Sequence, residues 1–278
     1  MRPLNNAPIR GVICLCHGYM DNISFLKRIE YQRFVQKGFA VVMIEYEGHG
    51  RSDGPITLIS NWDTMIHDVE QYFDEITSTK FAGTKKFLMG ESMGGAIVYD
   101  VMNRNRSSYE GVIFVCPMVK VLNTPPAWVV KIFYSIVGAP GSVNFLSMMP
   151  WAPSKGSIPD LSFKDKKKMA LATSAPTSYG RKPRLATARE LLVRHYCYLH
   201  CLRQKLVAYQ FEQSSFLTRI NKFCEQNTTK RISSTVHEFD APFIILHGLE
   251  DKITCPKISE EFYKESPSKD KNIQLYKG

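Results

Sequence analysis

The chain has 278 residues, of which 44% are apolar, and a formal net charge of +10. That length can bury one large core or two small ones; the longest apolar stretch, residues 127–139, carries Lys131 and is too short to cross a bilayer. The N-terminus, Met1-Arg2-Pro3-Leu4-Asn5-Asn6, lacks the apolar core of a secretory signal, and the odd set of 7 cysteines, with Cys14, Cys16 and Cys116 inside apolar runs, argues against a disulfide framework.

In chain order, Gly11-Val12-Ile13-Cys14-Leu15-Cys16 is a continuous apolar run ending in His17-Gly18, the pattern of a strand buried on both faces. Residues 24–37 have helical spacing in Phe25, Ile29 and Phe34. Residues 39–46 form a second strand pattern, closed by the Gly48-His49-Gly50-Arg51-Ser52-Asp53-Gly54-Pro55 loop, and a helix is predicted over about 61–76. Lys86-Phe87-Leu88-Met89 is a third strand running into Gly90-Glu91-Ser92-Met93-Gly94-Gly95, with a helix expected over 96–103, and residues 111–116 make a fourth strand. Strands alternating with helices imply a parallel sheet of βαβ units with functional residues at the carboxyl ends of its strands.

The pattern then breaks for more than a hundred residues before Ala241-Pro242-Phe243-Ile244-Ile245-Leu246-His247-Gly248 restores a buried strand. This long stretch reads as an insertion into the sheet domain. Its first part, with Trp128, Val129, Val130, Ile132, Phe133, Phe145, Met148, Met149 and Trp151, is apolar enough either to line a lid over a greasy pocket or to pack as ordinary core.

Gly90-Glu91-Ser92-Met93-Gly94 fits the nucleophile elbow of α/β-hydrolases, in which a serine sits on a strained strand-to-helix turn between small residues. A serine hydroxyl needs a base and an oxyanion hole. The expected oxyanion donors are the N–H groups of Met93, directly after the serine, and Tyr19, just past His17-Gly18, with His17 itself a structural loop residue. Leu246-His247-Gly248-Leu249-Glu250-Asp251 provides the acid, Asp251, in the Ser…Asp…His order of the fold; the alternative is a turn aspartate capping a helix that starts near Pro256.

These strings, together with Tyr46-Glu47-Gly48-His49-Gly50-Arg51-Ser52-Asp53-Gly54 and Lys182-Pro183-Arg184-Leu185-Ala186-Thr187-Ala188-Arg189-Glu190-Leu191-Leu192, resemble the monoacylglycerol lipase and lysophospholipase family of serine aminopeptidase S33-type hydrolases, above all its plant and algal esterase branch. The resemblance implies an α/β-hydrolase fold, a mostly parallel sheet with helices on both faces and an inserted, largely helical cap. Residues 1–119 and 240–278 would be the core and 120–239 the cap. It further implies a cytoplasmic or membrane-associated serine esterase acting, without a cofactor or metal, on monoacylglycerols, lysophospholipids or related esters.

The pattern is incomplete in three places. By the resemblance, the catalytic histidine should follow the last strand, beyond Tyr276-Lys277-Gly278, and none of the 7 histidines lies after Asp251. A strand pair is expected before Gly11. Residues 195–231 have no recognised counterpart. The chain therefore reads as clipped at both ends, and the internal stretch as a mis-assembled segment or a lineage-specific cap extension. A non-enzymatic reading, a pseudo-hydrolase that binds lipid or a partner, competes with the esterase. An aminopeptidase would want cap carboxylates to hold a substrate amine, whereas Val121 to Phe239 carries 17 Lys and Arg against 6 Asp and Glu.

That basic stretch suits contact with an anionic membrane surface or simple solvation. No nucleic-acid fold surrounds the Lys164-Asp165-Lys166-Lys167-Lys168 run. His195, Cys197, His200 and Cys201 lack the paired spacing of zinc modules, so no metal is expected there.

Overall fold

A computed structural model of the chain describes residues 1–3, 8–23, 25–120, 127–139, 141–153, 158–174, 178–192 and 235–277. The elements are β1 (Gly11–Cys16), α1 (Phe25–Gln36), β2 (Phe39–Ile44), α2 (Trp62–Lys80), β3 (Lys86–Glu91), α3 (Met93–Arg104) and β4 (Gly111–Val115). After them come α4 (Ala127–Val137), α5 (Ile158–Ser162), α6 (Lys166–Thr173), α7 (residues 185–192), β5 (Phe243–Gly248), α8 (Pro256–Glu265) and β6 (Lys271–Tyr276).

Six strands form one parallel sheet in the order β2-β1-β3-β4-β5-β6. All of β1 is buried, and its period of two divides it between two cores. Val12, Cys14 and Cys16 join Leu88, Val112 and Phe114 under α2, α3 and α8, while Ile13 and Leu15 join Val41, Met89 and Tyr31 under α1. Helices therefore cover both faces, which is why the central strands read as continuous apolar runs rather than alternating ones. This is the α/β-hydrolase architecture.

Local chemistry sets the helix ends. Asn61 caps α2 by accepting from the Thr64 N–H at 3.0 Å, and the buried positions Trp62, Met65, Ile66, Val69 and Phe73 recur at helical spacing. The indole of Trp62 donates to Asp100 on α3 at 2.9 Å, so the buried pair is satisfied. At the β5 side of the sheet, Phe243 stacks on Phe262 at 5.0 Å and Tyr99 on Phe239 at 4.8 Å, contacts of about 0.5–1.5 kcal/mol per pair beyond area burial.

The structure departs from the sequence reading at several boundaries. Helix α3 begins at Met93 rather than 96, because Ser92 is itself the cap residue. Strand β2 ends at Ile44, and residues 45–46 are irregular chain leading into the turn at 47–48. Strand β6, the last strand that the resemblance implies before Tyr276-Lys277-Gly278, has no apolar run of its own: as an edge strand its residues alternate between partly buried and exposed.

Between β4 and β5, Val137, Ala152 and Leu185 form a small separate core with Phe133, Leu146 and Met149 against it. Ile132 and Ile136 on the same helix α4 are exposed, as are Phe145 and Trp151. The expected greasy stretch thus divides into a packed side and a bare side. The side chains of Trp128 and Val130 lie outside the described residues. Among the described residues, no helix is long and apolar enough to cross a membrane.

Candidate active site

Ser92 stands where β3 passes directly into α3, with φ 53° and ψ −116°. A non-glycine residue in the left-handed region is strained, and the surroundings hold it there. The Ser92 N–H donates to Val115 O at 2.9 Å; its carbonyl accepts from Gly95 N and Met118 N, both at 2.9 Å. Glycine is required on either side by close approach. A β-carbon on Gly90 would lie 2.2 Å from Gly94 O, one on Gly94 would lie 2.1 Å from Cys16 O, and one on Gly95 would lie 2.6 Å from Pro117 Cβ. The Ser92 hydroxyl makes no capping hydrogen bond to α3 and is half-buried.

The loop after β1 packs against this serine. A β-carbon on Gly18 would sit 3.4 Å from Ser92 Cβ and 3.9 Å from its Oγ. The loop's carbonyls are tied down behind it: Tyr46 Oη donates to His17 O at 3.0 Å, and His17 Nδ1 lies 2.7 Å from Gly18 O. His17 is 1% exposed and its ring packs 4.3 Å from that of Tyr46 and 5.5 Å from that of His49. Burial, reinforced by the neighbouring His17, pushes the His49 imidazole down to about 4, so it is neutral at physiological pH. The structure gives His17 a packed, main-chain-bracing place. Sequence reasoning missed Tyr46 and His49, whose contributions depend on a cluster assembled from two loops.

Asp251 follows β5, and β4 lies between that strand and β3. Its carboxylate accepts from the N–H of Ile253 at 2.8 Å and of Thr254 at 3.1 Å, and from Thr254 Oγ1 at 2.6 Å; His247 Nε2 is 3.5 Å away. Burial opposes its ionisation, but the His247 ring and these three donors outweigh burial and hold the carboxyl well below the usual carboxylate range. His247 is in turn fixed by Ser259 Oγ at 2.8 Å and Thr254 O at 3.2 Å. The turn geometry of the capping alternative is therefore present, yet α8 starts at Pro256 with Cys255 as its cap, so Asp251 does not cap that helix.

Cys116, directly after β4 and with φ 43°, brings its thiol beside Asp251 and His247, their donor atoms within 4.8 Å of one another. The chemistry of this trio suits support of the carboxylate better than metal ligation. Both His247 nitrogens are engaged, and burial pushes the Cys116 thiol up to about 11, so it keeps its proton. His195, Cys197, His200 and Cys201 lie outside the described residues.

A family model described as serine aminopeptidase, S33, matches residues 7–195 and 224–278. The chain belongs to the serine aminopeptidase S33 family. Among relatives, this S33 hydrolase is 24% identical to caffeoylshikimate esterase of Arabidopsis thaliana, over 97% of the chain and 70% of that protein. It is 26% identical to the monoglyceride lipase of Saccharomyces cerevisiae, over 97% of the chain and 77% of that protein. A crystal structure of a soluble variant of the Saccharomyces cerevisiae monoglyceride lipase, in complex with a substrate analog, matches with a TM-score of 0.68 at 20% identity, covering 100% of the chain and 80% of that one. At that identity the structural likeness speaks to the fold, and the S33 hydrolase shares it.

Proposed function

We propose that this S33 hydrolase cleaves carboxylic esters through an acyl-enzyme on Ser92. The observation that carries the reading is the conformation of Ser92, strained at φ 53° at the end of β3 and packed against Gly18. In this reading Ser92 Oγ attacks the acyl carbonyl, and the N–H groups of Tyr19 and Met93 hold the oxyanion. A histidine accepts the serine proton and passes it to the departing alcohol, and in the Ser…Asp…His order of the fold it is the member that follows the acid. Asp251, kept ionised by its donors, orients that imidazole and stabilises its charged form. Water then releases the acyl group.

The substrates proposed are monoacylglycerols, lysophospholipids or related carboxylic esters, in keeping with relatives named as monoglyceride lipase and caffeoylshikimate esterase. Residues 1–119 and 240–278 would form the catalytic core and 120–239 the cap. The exposed Ile132, Ile136, Phe145 and Trp151, near in sequence to the exposed Lys164, Lys166, Lys167 and Lys168, support peripheral contact with anionic membranes.

The test is made on the full-length protein with a fluorophosphonate probe and a short-chain p-nitrophenyl ester. Wild type should label at Ser92 and hydrolyse the ester, and Ser92→Ala should do neither. A wild-type protein that neither labels nor hydrolyses would sink the reading. For the membrane contact, pelleting with anionic but not neutral vesicles at low salt is expected, and equal binding to both would overturn it.

A further inference from the structure

Tyr19 has two ends with different duties. Its main chain belongs to the loop against Ser92, while its hydroxyl donates to the carbonyl of Thr57 at 3.2 Å. That same carbonyl accepts the hydroxyl of Thr187, on α7, at 3.0 Å, and the Thr187 oxygen in turn accepts the Ile59 N–H at 2.9 Å. Thr187 is fully buried and Thr57 is 2% exposed. Arg184, just before α7, reaches the adjoining carbonyl of Ile56 through Nε at 2.7 Å.

Thr57 itself sits at φ 56°. For a β-branched residue this is a costly conformation that persists only when neighbours impose it. Its N–H donates to Gly48 O at 2.7 Å, which anchors it from the other side. A strained carbonyl is thus presented, inside the protein, to two hydroxyls that come from elements far apart in the chain.

We infer that Thr187 and the Tyr19 hydroxyl are positioning residues: meeting on the Thr57 carbonyl, they fix the Tyr19 N–H against Ser92 and make its placement depend on α7. The inference rests on the ester-hydrolase reading of Ser92. An oxyanion donor works only within a few tenths of an ångström of its place; the His17 ring, 2.7 Å from Gly18 O, braces one side of the peptide unit that carries the Tyr19 N–H, and the Tyr19 phenol, bound to Thr57 O, braces the other. Losing the Thr187 hydroxyl leaves the buried Ile59 N–H without its acceptor and removes one of the anchors of the 56–59 loop on which the phenol rests.

The experiment uses the full-length protein and the variants Thr187→Val, Thr187→Ser, Tyr19→Phe and the Val/Phe double. kcat and KM for a short-chain p-nitrophenyl ester, the rate of Ser92 phosphonylation and the melting temperature are read for each. Thr187→Val and Tyr19→Phe should each lower kcat and the phosphonylation rate about tenfold with KM within about twofold. Thr187→Ser should return kcat to within about threefold of wild type, and the double variant should lose less than the product of the singles. A purely structural role would lower the melting temperature of Thr187→Val and leave kcat per folded molecule unchanged, which overturns the inference. If Thr187→Val does not fold, Tyr19→Phe decides, and an unchanged kcat there overturns it equally. A wild type that neither labels nor turns over sinks the Ser92 reading itself, whereas a labelled wild type with unaffected variants sinks only this inference.

Discussion

Gly18 lies directly against Ser92, so close that a β-carbon on the glycine would be 3.4 Å from the serine Cβ and 3.9 Å from its Oγ. These are ordinary van der Waals distances, and Gly18 is not in the left-handed region. Gly18→Ala should therefore keep stability within about 1 kcal/mol of wild type. The methyl nevertheless fills space beside the nucleophile, and fluorophosphonate labelling of Ser92 should slow by about tenfold. Paired urea melts and labelling time courses check both halves; an unfolded variant or an unchanged labelling rate would contradict the geometry.

Gly94 stands in the opposite situation. Its added β-carbon would fall 2.1 Å from Cys16 O and 2.8 Å from His17 O, both main-chain atoms that cannot swing aside. Gly94→Ala should cost about 3 kcal/mol. Gly180→Ala, with nothing among the described residues within 4 Å of the new methyl, is the control and should be nearly neutral. Similar melting curves for the two variants would refute the close packing of α3 on the end of β1.

The Asp251 carboxyl, held well below its ordinary range by His247, Thr254 and two main-chain donors, makes a pH prediction with a definite sign. Its contribution to stability is complete above the unfolded value of about 3.9 and fades as pH falls from there toward the folded value. The stability gap between wild type and Asp251→Asn should accordingly be full at pH 7 and shrink below about pH 4. Denaturant titrations across that window decide it, and a gap that stays constant with pH would mean that the carboxylate is not ionised by those donors.

Arg189 and Glu190, neighbours on α7, form a buried ion pair whose other hydrogen bonds reach Gly141, Val137 and Ser60. Arg189 is fully buried, and Glu190 Oε1 accepts from its Nη2 at 3.0 Å, its Nε at 3.2 Å and the Gly141 N–H at 3.0 Å. Glu190→Ala strands a buried guanidinium and should cost about 3–5 kcal/mol, whereas the double change Arg189→Met with Glu190→Leu should cost distinctly less. Equal losses from the single and double variants in urea melts would show that the charge pairing does not govern the cost.

The sequence by itself determined the turn at Ser92, the central strands and the fold class. The reason is that these are written in local terms. Continuous apolar runs mark β1, β3, β4 and β5, and the glycines around Ser92 mark a turn in which any β-carbon collides with backbone. Asp251 and the Tyr19 loop were legible from their places after β5 and β1.

Only the tertiary structure decided the rest. The meeting of Tyr19, Thr57 and Thr187, the His17–Tyr46–His49 packing, the Ser259–His247–Asp251 support and the reach of the Arg189–Glu190 pair to Gly141, Val137 and Ser60 each join residues of mixed polarity from different segments or from turns. Contacts of that kind leave no periodic trace along the chain. The Lys182 to Leu192 string contained Thr187, Arg189 and Glu190 without indicating what they touch, because a buried threonine and a buried ion pair acquire their meaning from carbonyls and amides that folding brings to them.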